Sequence, residues 1–191
     1  MKKITLLAAL LVGGLVSANA QKVETPKLAE KVGTTPIKKG NWMVGATVGN
    51  IGYDFEAESF GFEIKPTAAY FISDGFAVGA EIGGGLETVK SGKDIWSYVI
   101  MPYGRYYFPE GASETGRFFG QGGIGIKGKS QDGNTKNSFA FDIKGGYSHF
   151  VSRNVALELT AGYSYSKANF TGGKNFSGLG IGLGFQIFLG K

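Results

Sequence analysis

Between Phe176 and Leu189 the chain reads FSGLGIGLGFQIFL, with Leu179, Ile181, Leu183, Phe185, Ile187 and Leu189 on one parity and Gly178, Gly180, Gly182, Gly184 and Gln186 on the other. Successive side chains of a β-strand point to opposite faces, so this stretch predicts a strand that is apolar on one side and, apart from Phe188, bare or polar on the other. Such a strand suits a narrow barrel whose outside meets lipid and whose inside is crowded.

The same alternation recurs upstream. It predicts eight strands, at about residues 42–50, 60–72, 76–89, 95–108, 118–127, 138–150, 155–167 and 176–189. In the second, Phe60, Phe62, Ile64, Pro66, Ala68, Tyr70 and Ile72 oppose Glu63, Lys65 and Thr67; in the third, Phe76, Val78, Ala80 and Ile82 oppose Glu81 and Glu87. In the seventh, Val155, Leu157, Leu159, Ala161, Tyr163 and Tyr165 oppose Glu158, Thr160, Ser164 and Ser166. Up to the terminal Lys167 of the seventh, no charge falls on an apolar face of these strands. The expected fold class is therefore all-β: an eight-stranded antiparallel up-and-down transmembrane β-barrel occupying residues 41–191.

The amino end supports a secretory route. Lys2 and Lys3 precede an apolar run from Ile4 to Val16, and Ser17-Ala18-Asn19-Ala20 offers small residues at a cleavage site, so residues 1–20 read as a signal peptide. Residues 21–40, polar and carrying Pro26 and Pro36, read as a flexible periplasmic segment. The absence of cysteine removes a disulfide framework and a lipidated cysteine. Charge excludes little: loss of Lys2 and Lys3 lowers the formal +5 by two, and the remaining basic residues form no stripe of the kind nucleic acid requires. With 33 glycines, 14% aromatics and a mean hydropathy of −0.02, the composition fits strands with alternating faces.

An even number of strands brings both ends to one side, the periplasmic side in bacterial outer membranes. Ser73-Asp74-Gly75, Pro109 to Gly116 and Ser152-Arg153-Asn154 are then periplasmic turns, and residues 51–59, 90–94, 128–137 and 168–175 outer loops.

Three stretches carry a resemblance: Pro66 to Ile72 followed by Asp74-Gly75, Pro102-Tyr-Gly-Arg-Tyr-Tyr-Phe108, and the last strand. On these the chain resembles the small eight-stranded outer-membrane β-barrel proteins, the OmpX-like and OmpA-transmembrane-like group. The resemblance implies residence in the outer membrane, contact with its lipid, and assembly by the barrel-insertion machinery, with Gly184, Ile187 and Leu189 at the glycine and hydrophobic positions of the assembly signal. The chain departs from that signal by ending Leu189-Gly190-Lys191 rather than on an aromatic residue.

Motifs with chemistry are few. Gly123 to Ser130 matches the phosphate-loop pattern letter for letter, but a polar turn follows it where a helix is required. His149, the one histidine, lies at the predicted periplasmic end of the sixth strand; a catalytic role would need a paired serine and an acid in reach, and it reads instead as an interfacial residue. One histidine and no cysteine leave metal binding to carboxylates alone. The acidic, aromatic stretch Tyr53 to Glu58 reads as a solvated outer loop and names no extracellular partner. No catalytic, cofactor or metal site is expected.

The inward charges matter more. Glu63, Lys65, Glu81, Glu87, Arg105, Lys127, Asp142, Lys144 and Glu158 would share one small lumen, which is tolerable only if they pair. Arg105 is the expected hub, held by one or more of Glu63, Glu81, Asp142 and Glu158 through its planar fork. An eight-stranded barrel is just wide enough for side chains to fill it. The expected function is thus a structural or surface-interaction barrel with a plugged lumen and no enzymatic activity. The alternative is a narrow pore; a lipid-modifying enzyme and a secreted lipocalin-like binder come behind it, the latter because it would put the charged, glycine-rich face in water.

Overall fold

The computed structural model describes residues 35–54, 59–89, 94–109, 113, 115–131, 134–168 and 176–190. The expected signal peptide, residues 1–20, and residues 21–34 lie outside them. Eight strands run in chain order: β1 (Trp42–Asp54), β2 (Ser59–Ser73), β3 (Phe76–Val89), β4 (Ile95–Tyr107), β5 (Gly116–Gln131), β6 (Asn134–Phe150), β7 (Val155–Ala168) and β8 (Phe176–Leu189). Each pairs antiparallel with the next, and β8 returns to β1, closing the wall as an eight-stranded antiparallel up-and-down barrel. Closure pairs each strand on both sides along most of its length, which the exposed edges of an open sheet cannot do.

The parity holds around the wall. Ile82, Ile124, Ile143, Leu159 and Ile181 stand outward and are 55–77% exposed, while Glu81, Arg105, Asp142, Glu158 and Gln186 are buried within. This disposes of the lipocalin-like arrangement, in which the apolar face would line the interior. A surface of this extent and continuity is far larger than the apolar patches soluble monomers expose. Among the described residues no helix is long and apolar enough to cross a membrane.

Three strands, β1, β5 and β6, are longer than the alternation predicts by more than two residues. The expected loop 128–137 is largely a ladder, with Gly128 opposite Asn137, Lys129 opposite Lys136 and Ser130 opposite Thr135. Polar and glycine residues carry no hydrophobic period, yet their backbones pair as well as any. β1 likewise continues to Asp54 through a bulge between Gly49 and Gly52, where two residues face one on β2. Residues 55–58 of the acidic stretch lie outside the described residues.

The end carrying the short turns also carries the barrel's first and last residues. Here Thr35–Ile37 form a single 3₁₀ turn, so the last six residues assigned to the leader, 35–40, fold onto the barrel. Gly75 donates its backbone N–H to the Ile37 carbonyl at 2.9 Å, Gly40 donates to that of Phe71 at 2.9 Å, and Lys39 donates to Asp74 Oδ1 at 2.8 Å. Gly75 sits at φ +78°, a left-handed conformation that closes the β2–β3 turn and that a Cβ disfavours. Gly75→Ala should therefore lower unfolding stability in detergent by about 1–2 kcal/mol. Gly122→Ala, where a Cβ would find its nearest neighbour at 4.0 Å, should leave the denaturation midpoint within error of the parent. Equal midpoints for Gly75→Ala and the parent would remove the turn's conformational requirement.

Candidate functional site

The lumen is built in layers, beginning at the short-turn end. Phe71 (end of β2), Tyr107 (end of β4), Phe119 (start of β5), Phe150 (end of β6) and Phe188 (end of β8) point inward and are almost completely buried, with Met43 and Ile37. Their rings meet at centroid separations of 5.2–6.3 Å. Four of them are held alike: the backbone N–H of Phe71, Tyr107, Phe150 and Phe188 donates to the carbonyl of Asn41, Gly75, Thr115 and Asn154, respectively, at 2.7–3.0 Å. Each bond ties a strand end to a neighbouring turn or strand start, so the aromatic plug is anchored around the ring.

Above the plug lies the ion pair of Arg105 and Glu158, both 3% exposed. Arg105 Nη1 donates to both carboxylate oxygens, at 2.8 and 2.9 Å, and to the Tyr107 hydroxyl at 3.1 Å. Glu158 also accepts from Ser148 Oγ at 2.6 Å and Gln186 Nε2 at 3.2 Å. The guanidinium lies over the Phe119 ring, 4.2 Å from its centroid, which adds a cation–π contact. Arg105 Nε donates to Gln121 Oε1 at 2.8 Å, and Gln121 Nε2 donates to Glu81 Oε2 at 2.9 Å. Gln121 therefore carries the chain of polar contacts upward. Glu81 holds Lys144 at 2.7 and 2.8 Å, and Lys144 reaches Asp142 at 3.4 Å. Beside this, Thr67 and Tyr103 share a hydroxyl contact of 2.6 Å, and Val99, Met101 and Ala140 form a small apolar patch on the wall.

The nine inward charges do not make one cluster. Arg105 meets only Glu158 directly and reaches Glu81 through Gln121; Glu63 pairs with Lys65 at 3.3 Å. Lys127 is half-buried on β5. Glu87 stands at the open end, 3.9 Å from Lys129, a residue not counted among the expected inward charges. Of the residues named for assembly, Gly184 lies opposite Thr47 where β8 closes on β1, and a Cβ there would meet the Ala46 carbonyl and Thr47 Oγ1; Leu189 faces outward and Ile187 is half-buried. Gly123 to Ser130 is continuous strand within β5, with no helix after it. His149 is exposed near the short-turn end and stacks on Tyr147 at 6.4 Å. No group of three histidine, cysteine, aspartate or glutamate residues suited to a metal ion occurs among the described residues.

Comparison with known proteins gives the arrangement its setting. Neisserial surface protein A has a similar solved structure, with a TM-score of 0.56 and 16% identity over 78% of this chain and 97% of that one. The outer membrane protein OprG of Pseudomonas aeruginosa gives 0.51 and 14%, over 81% and 98%. The N-terminal β-barrel domain of OprF, also from Pseudomonas aeruginosa, gives 0.50 and 12%, over 79% and 98%. The fold is that of small outer-membrane β-barrel proteins. No protein-family model and no curated protein matches the sequence.

The Arg105–Glu158 pair is open to a double-mutant cycle. Arg105→Ala leaves a buried carboxylate without its counter-ion and should cost about 3–5 kcal/mol of unfolding stability. Arg105→Ala with Glu158→Ala should cost less than the two single losses together, by at least about 1 kcal/mol. Strict additivity in denaturant titrations would show that the two groups do not act as a pair.

Proposed function

We propose that this protein is an integral outer-membrane barrel with a structural or surface-interaction role, a lumen sealed by its own side chains, and no catalytic activity. The apolar outer face takes membrane lipid as its solvent, the termini lie on the periplasmic side, and the last strand, through Gly184, Ile187 and Leu189, is read by the barrel-insertion machinery. The observation that carries the sealed lumen is the sequence of two barriers: the almost wholly buried Arg105–Glu158 layer, and beneath it the ring of five aromatic side chains. A hydrated path would have to break a buried ion pair and displace that ring together, which weighs against the narrow-pore reading.

The refolded protein in a planar bilayer should show no conductance steps at moderate voltage. Steady ohmic conductance of the parent barrel would replace the sealed role with that of a pore. The lipid-facing assignment has its own check: Leu159→Lys, on the outward face, should cost about 2–4 kcal/mol when the barrel folds into bilayers, whereas Ser164→Lys, half-buried on the inward face of the same strand, should cost much less. Equal losses would mean that the two faces had been exchanged.

A further inference from the structure

Residues 35–40, ahead of β1, lie across the base of the barrel between β8 and the β2–β3 turn, and they are fastened on both sides. On the turn side the Ile37 carbonyl accepts the Gly75 N–H at 2.9 Å, the Gly40 N–H goes to the Phe71 carbonyl at 2.9 Å, and the Lys39 N–H goes to Asp74 Oδ1 at 2.8 Å. On the other side the 3₁₀ turn Thr35–Ile37 packs against β8. Asn41, which joins this segment to β1, ties the two sides together. Its Nδ2 donates to the Pro36 carbonyl at 3.2 Å, and its own carbonyl accepts the Phe71 N–H at 3.0 Å. Its side-chain amide also lies so close to Gly190, just past the end of β8, that a Cβ there would collide with it.

Ile37 is the peg of this segment. It is 6% exposed, whereas Lys38 and Lys39 beside it are open to solvent. The buried cluster that receives it draws residues from all eight strands, from Met43 on β1 to Phe188 on β8. A seat made by every strand is complete only once the barrel has closed, so this segment docks last. The ladder it adjoins is the closure itself. Among the described residues the β1–β8 ladder, from Trp42–Leu189 to Gly49–Gly182, is the shortest of the eight, with the fewest backbone bonds to break when neighbouring strands part. For β8 to leave β1 at the base, it must also leave the 3₁₀ turn and the Asn41 side chain. That movement would draw Ile37 out of the plug and return its apolar surface to water, which opposes it.

We propose that residues 35–40 are a latch, set after the barrel has closed, that holds the β1–β8 seam shut at its base and governs how often the two strands part there. The latch depends on the closed barrel alone and its test needs no bilayer, so it stands or falls apart from the sealed, membrane-embedded reading above.

The test is amide hydrogen exchange, read residue by residue by NMR on the refolded chain in detergent micelles. Ile37→Ser should speed exchange at least about tenfold for the amides bonded across the β1–β8 ladder between Met43–Phe188 and Thr47–Gly184. Those bonded across β5–β6 between Gly122–Ile143 and Ile126–Phe139 should stay within about twofold of the parent. Lys38→Ser, at the exposed neighbour, should change neither ladder. Unchanged β1–β8 exchange in Ile37→Ser would overturn the latch, and so would equal acceleration of the two ladders, which would make Ile37 one more core side chain. Should Ile37→Ser fail to refold, Asp74→Ala takes its place, since it removes the acceptor of the Lys39 N–H and touches no plug residue. Faster β1–β8 exchange in that variant supports the latch; acceleration confined to the β2–β3 ladder would show that only the turn had loosened, and would overturn it.

Discussion

Arg105 and Glu158 are withdrawn from water at the centre of the barrel, and a charge so placed has no alternative to the partner it is given. Its energetic demand explains much of the lumen around it. Glu158 takes donors from Arg105, Ser148, Gln186 and Tyr107, leaving little of its capacity unused. Arg105 spends its Nε on Gln121, which turns its amide so that Nε2 serves Glu81. The glycines of the inner wall answer the same crowding. At Gly162 a Cβ would collide with Lys144, at Gly146 with Phe119, and at Gly83 with Val99 and Lys65. Small residues on one strand are the space occupied by large ones on the next.

The polar layer and the aromatic plug are complementary. Burial of the ion pair requires that water be kept from the short-turn end, and the ring of Phe71, Tyr107, Phe119, Phe150 and Phe188 does so. Tyr107 belongs to both, its ring packed among the phenylalanines and its hydroxyl accepting from Arg105. At the opposite end the demand relaxes: Lys65, Glu63 and Lys144 retain some exposure, the side chains of Glu87 and Lys129 are 38% and 70% exposed, and the β1–β8 ladder ends at the pair Gly49–Gly182. The barrel is thus a closed cup, rigid and dry at its base and polar towards its mouth.

Much of this was legible in the chain because one period governs it. Alternation assigns Leu159 outward and Glu158 inward without any tertiary knowledge, and it locates β3 and β8 to the residue. What escaped it has physical reasons. The ends of β1, β5 and β6 are polar on both faces, so pairing there leaves no hydrophobic signature. The aromatic plug was present as a different signal, apolar residues on both parities where strands meet the short turns, as in Phe71-Ile72, Tyr106-Tyr107-Phe108, Phe118-Phe119 and Ile187-Phe188-Leu189. In such runs the inward residue of each enters the plug while its outward neighbours stay on the apolar outer face. Partner choice among the inward charges was not legible, since parity places a residue on a face but the stagger of neighbouring strands decides which of them meet; Gln121 as a bridge between Arg105 and Glu81 follows only from that stagger.

The central claim is that a single two-residue period divides a lipid-facing wall from a sealed interior. Spin labels placed one at a time along β7, from Val155 to Ser166, in the bilayer-embedded protein measure this division directly through their collision rates with oxygen, which concentrates in lipid, and with a water-soluble nickel chelate. The account predicts high oxygen collision at Leu157, Leu159, Ala161 and Tyr163, and low collision with both reagents at Glu158 and Thr160, where the interior is closed to lipid and water alike. Nickel collision at Glu158 and Thr160 as high as at a label on exposed Arg153, or oxygen collision without a two-residue period, would contradict it.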